Sequence, residues 1–127
     1  DLVDIPGWDS IPDKWANHPK HAHNRLITSI VLNTDEVCLN ARAHCEALAK
    51  AKGATALILP QEGCGEWDRP GADLHNPDGL AAFLHTCEAH CPDNVTCTKL
   101  SAHINDEAFV TAALKIFDAW QAEGIIR

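Results

Sequence analysis

Apolar positions along this chain alternate between short continuous runs and stripes spaced three and four residues apart. The most apolar run is Ala54-Thr55-Ala56-Leu57-Ile58-Leu59, whose length and branched content fit a strand buried on both faces, as in a parallel sheet. Leu2–Ile5 and Arg25–Leu32 predict two earlier strands, the first stopped by Pro6-Gly7. Val95–Ser101, where branched and polar residues interleave, predicts a last and less buried strand. The stripes predict three helices. Val37, Ala41, Cys45 and Leu48 follow Asn33-Thr34-Asp35-Glu36, a helix start of capping-box form, and run to about Lys52 before the stop at Gly53. Leu80, Phe83, Leu84, Cys87 and Cys91 follow Asn76-Pro77 and end at Pro92. Phe109, Ala112, Ala113, Ile116, Phe117 and Trp120 form the third stripe, with Asn105 as its expected N-cap. Trp8 to Asn24, with Pro12 and Pro19 and no sustained period, reads as an ordered loop.

Strands that alternate with helices imply a single α/β domain over residues 1–127: a mainly parallel sheet of about four strands with three helices, in Rossmann-like layers joined by right-handed crossovers. Three helices leave part of such a sheet bare, and exposed apolar surface marks a partner. A homodimer or a partner domain is therefore expected.

At 127 residues and 13.8 kDa the chain is long enough for one real core without metal or disulfide support. A net charge of -8 with scattered Lys and Arg disfavours nucleic acid and anionic lipid as partners, and no apolar run is long enough to cross a membrane. The six cysteines are expected as thiols, since Cys38 with Cys45 and Cys87 with Cys91 are spaced to share helix faces as small core residues. No paired metal knuckle occurs, and neither a resident metal nor a cofactor is expected. With no secretory signal, the expected location is cytoplasmic, and the start at Asp1 without methionine reads as a processed chain or one cut from something longer. Asn94-Val95-Thr96 fits a glycosylation sequon at a strand start and is expected to be chance.

Candidate chemistry concentrates after the central strand, in Leu59 to Asn76. This connection exceeds the usual ~2–6 residues and crowds glycines, acids, a thiol and an indole together. In open α/β sheets ligands bind where strands deliver their carboxyl ends. Three loops meet there, bringing Asn33, Thr34 and Glu36, then Glu62, Gly63, Cys64, Gly65, Glu66, Trp67, Asp68 and His75, then His103, Asn105 and Asp106. His103 can serve as acid or base and Cys64 as nucleophile if a histidine activates it, with Glu62 beside them. The plainer roles are that His103 ties loop backbones, Cys64 fills a turn, and Asn105 and Asp106 cap a helix. His21 and His23 would face one side of an extended segment, as metal pairs do, but without a clear third ligand they are expected to be solvated loop histidines.

Three blocks, His23-Asn24 through Asn33-Thr34-Asp35-Glu36, Trp67-Asp68-Arg69-Pro70-Gly71 with His75-Asn76-Pro77, and Ala102-His103-Ile104-Asn105-Asp106-Glu107-Ala108-Phe109, resemble the C-terminal segment of tobamovirus-resistance-like proteins. The resemblance covers nearly the whole chain and implies a two-domain family, widespread in bacteria and largely uncharacterised, of which this chain is the C-terminal part. ATP binding belongs to that family's N-terminal domain and is not carried over. Leu32 stands where the family has arginine, and Cys64-Gly65 where it has a small residue and serine.

The sequence thus leads to a small-molecule-binding domain with its pocket at the strands' carboxyl ends. Its rivals are a hydrolase or lyase acting on a small carbonyl compound, using His103 with Cys64 or a metal-bound water, and a purely structural partner domain.

Overall fold

The computed structural model describes residues 2–126. Five strands and three helices follow in the order β1 (Leu2–Pro6), β2 (Lys20–Ala22), β3 (Ile27–Val31), α1 (Thr34–Leu48), β4 (Ala56–Pro60), α2 (Pro77–His90), β5 (Thr96–Leu100) and α3 (Glu107–Ala122), with a short 3-10 turn at Asp13–Trp15.

The expected four-stranded, mainly parallel sheet does not form. β1, β3 and β2 make an antiparallel sheet with β3 in the middle, and β4 and β5 make a separate parallel pair. The reason lies in β2. Lys20-His21-Ala22 lacks branched residues and is too short to announce itself, yet it pairs with Ile30, Ser29 and Thr28. With β1 on one edge and β2 on the other, β3 has no free edge for β4. The turn between β2 and β3 is set by Asn24, whose side-chain oxygen accepts the Leu26 and Ile27 amides. That of β1 is set by Gly7, at φ +66°, whose amide donates to the Leu26 carbonyl.

The helices follow their stripes more closely. Asn33 caps α1 in a full capping box, its side chain accepting the Glu36 amide while Glu36 accepts the Asn33 amide. At the other end of α1, Asn94 donates its side-chain amide to the Leu48 and Ala51 carbonyls, so the sequon asparagine is engaged in a helix terminus. Asn76 caps α2 through the Gly79 amide, with Pro77 at N1. α1 and α2 pack on each other over β4, burying Ala41, Cys45, Leu59 and Cys87, with Leu57, Phe83 and Leu84 around them. All six cysteines are free thiols, and two of them belong to this core. β4 itself is less enclosed than expected: Leu59 and Pro60 are buried, but Ala56, Leu57 and Ile58 only half so.

α3 starts one residue later than expected. Asp106, in extended backbone at φ -84° and ψ 149°, is the N-cap, while the Asn105 side chain turns away to Glu66. No helix is long and apolar enough to cross a membrane among the described residues.

Candidate functional site

The loops at the carboxyl ends of β4 and β5 are laced together by their backbones. The Gln61 amide donates to the Leu100 carbonyl, Glu62 to Ala102 and Ile104 to Gly63. Side chains add Asn105 Nδ2 to Glu66 Oε2 at 2.8 Å and Arg69 Nη2 to Asp106 Oδ1 at 2.7 Å. Leu74, only 1% exposed, anchors the far end of the β4 loop.

Asp68 is the knot of this arrangement. Its Oδ2 accepts the Cys64 and Gly65 amides at 2.6 and 2.8 Å, and its Oδ1 accepts from His103 Nε2 at 2.8 Å. His103 Nδ1 accepts the Asn105 amide at 3.1 Å, so Nε2 carries the ring proton and shares it between Asp68 and the Gly65 carbonyl at 3.0 Å. The imidazole is 0% exposed and Asp68 7%. Both ring nitrogens are spent on the loop, and the ring stands behind the carboxylate rather than at the surface.

In front of Asp68 lies a cleft of about 280 Å³ at the carboxyl end of β4. Its walls include Gln61, Glu62, Arg69, His75, Asn76 and Leu80, and the start of α2 opens into it. Arg69, whose Nη2 is paired with Asp106, and His75 sit beside a helix N-terminus and offer N–H donors, while Glu62 and Asp68 offer acceptors. Arg69 holds the Asp106 carboxyl below its ordinary range, with the His103 amide contributing.

Of the expected site residues, Glu62 and Asp68 line this cleft. Gly63, Cys64 and Gly65 form the turn wrapped around the Asp68 carboxylate, and Asn105 and Asp106 brace the loops from the β5 side. Thr34 lines a neighbouring cleft of about 320 Å³ with His18, Pro19 and Asn33; Asn76 borders both clefts. Burial, and secondly the Asp68 carboxylate, push the Cys64 thiol up to about 11, so it keeps its proton at neutral pH.

Trp67 turns the other way, toward β2. His21 stacks on its ring with centroids 4.6 Å apart, His23 meets its edge at 4.9 Å, and His21 Nδ1 also pairs with Asp73 Oδ2 at 3.0 Å. The two histidines thus tie the antiparallel sheet to the β4 loop. Among the described residues no group of three or more His, Cys, Asp or Glu side chains has metal-holding geometry.

His75, expected among the residues of this loop, does line the cleft, and Arg69 and Asn76, to which the sequence assigns no ligand, line it too. Their position in an overlong loop just before a Pro-initiated helix is the sequence signal for them, while the glycines of the same loop wrap Asp68.

Residues 1–121 match the C-terminal domain of an uncharacterised protein family, UPF0261. The chain is 41% identical over 126 residues to the UPF0261 protein of Brucella melitensis, covering 99% of this chain and 30% of that protein. A Brucella suis relative is 40% identical over 126 residues, and one from Clostridium tetani 26% over 116 residues, 91% of this chain and 29% of that protein. This chain therefore spans about 30% of the length of the relatives it matches. Their names carry neither an activity nor tobamovirus resistance.

Proposed function

The chain belongs to the UPF0261 family through its C-terminal domain, and from that premise we propose that it binds a small polar molecule in the cleft at the carboxyl end of β4. The observation that carries this reading is the cleft itself, about 280 Å³ in volume and lined by Arg69, His75 and the first turn of α2 together with Glu62 and Asp68. That set suits a compact ligand with an anionic head for Arg69 and His75 and a hydroxyl or ammonium donor for the two carboxylates. Hydroxy acids, amino acids and small phosphorylated sugars have this character.

A hydrolase or lyase working through His103 and Cys64 is less well supported. The thiol is held protonated by burial and by Asp68, and the imidazole has no nitrogen left for a substrate. In the favoured reading His103 is a positioning residue that aims Asp68, and Asp68 is what a ligand meets.

Thermal-shift screening with those three compound classes tests the proposal. A stabilising compound is expected, and Arg69→Ala and His75→Ala should each weaken its binding by about tenfold or more. Equal binding by wild type and both variants would remove the cleft from consideration.

A further inference from the structure

α3 is amphipathic and yet, among the described residues, buries none of its own. Phe109, Ala112, Ala113, Ile116 and Trp120 are apolar positions on one side, and Ile116 and Trp120 line a shallow groove with Ala56 of β4 and Thr96 of β5. Phe117, expected with them, belongs instead with Val110 and Leu114 to a second apolar stripe, in which Val110, Leu114 and Phe117 are exposed by 51%, 55% and 52%. At roughly 100° per residue this second stripe lies about a quarter turn around the helix from the first and joins it through Ala113. It does not point directly away from the sheet. It points to where a neighbouring helix of the same layer would lie.

The sheet beneath is incomplete in the same sense. Among the described residues β4 and β5 are a parallel pair with no third strand, whereas parallel sheets occur almost only as larger assemblies with both faces covered. The residues Thr96, Cys97, Thr98 and Lys99 of β5 are all exposed.

We infer that α3 and the β4–β5 pair are an interface for the polypeptide that precedes this domain in the longer family members, which supplies a helix against Val110, Leu114 and Phe117 and extends the parallel sheet. The length relation identifies the occupant. This chain matches a C-terminal domain and accounts for 30% of the Brucella melitensis protein, so most of that protein lies on its N-terminal side. A small, polar or charged partner would not use this stripe, since none of its three residues offers a hydrogen bond.

Hydrogen exchange, measured on this chain and on the full-length Brucella melitensis relative, tests the inference. Peptides aligned with α3 and β5 should exchange at least about tenfold more slowly in the full-length protein, while α1, already packed on α2 within this chain, should change little. In the relative, substitutions aligned with Leu114→Asp and Phe117→Asp should return α3 to fast exchange and leave α1 protected, which separates a lost interface from a failed fold. Equal α3 exchange in the two proteins would overturn the inference. So would sedimentation of this chain as a dimer with α3 protected, because the occupant would then be a second copy.

Discussion

At Gly63 the backbone takes φ +132°, and a Cβ there would lie 2.5 Å from both Asp68 Oδ1 and His103 Cδ2. Neither neighbour is a free side-chain end, since each is held by its own hydrogen bonds. Gly63→Ala should therefore cost roughly 2–4 kcal/mol in urea unfolding, from strain and a displaced buried pair together. A cost under about 1 kcal/mol would show that the turn does not depend on that approach. His103→Ala should also destabilise by about 3 kcal/mol, because it leaves a buried carboxylate oxygen without its donor. Cys64→Ala should leave ligand affinity within about twofold of wild type, as befits a thiol that keeps its proton. Loss of all function in that variant would restore the nucleophile. Of these residues, the sequence made Cys64 and His103 conspicuous by type, but the carboxylate that organises them was one acid among several until its partners were visible.

Caps decide the elements' edges, and here two asparagines that look alike in sequence part company. Asn33 completes a capping box, so Asn33→Ala should cost about 1 kcal/mol. Asn105 does not cap α3, and its replacement by alanine should stay within about 0.5 kcal/mol. Thermal unfolding of the pair distinguishes them, and equal losses would return Asn105 to the cap. Acid stability is also set at helix edges. The Trp15 indole donates to Glu36 and holds its carboxyl below the ordinary 4.5, and Arg69 with the His103 amide holds Asp106 below 3.8. Each folded value lies under its unfolded one, so the unfolded chain binds more protons as pH falls. The stabilisation is present above the ordinary values and is lost on descending through the lowered ones. Melting temperature should be level above about pH 5 and fall below it, with a shallower fall in Glu36→Gln. Identical acid limbs would remove Glu36 as a contributor. Helices were legible because stripe and cap agree in each case except at Asn105, where two capping residue types stand side by side and only the loop contacts choose between them.

For the whole molecule, the alternation of strands and helices was readable, and the sheet order was not. Three residues, Lys20 to Ala22, occupy the edge of β3 on which a parallel crossover would depend, and no periodicity betrays a strand so short. Bare apolar surface was expected on a face of the sheet; the exposed stripe lies on α3 instead and includes Phe117, which the sequence placed on that helix's core face. What survives of the expected layout is the meeting of the β4 and β5 loops, beside a cleft lined by the β4 loop and the start of α2. Amide chemical shifts of the labelled chain, recorded with each of the hydroxy acids, amino acids and sugar phosphates that stabilise it, test binding in that cleft most directly. Perturbations centred on Gln61, Glu62, Arg69, His75, Asn76 and Leu80 are expected. Shifts confined instead to the groove of Arg42, Cys45 and His90, or to α3, would contradict this.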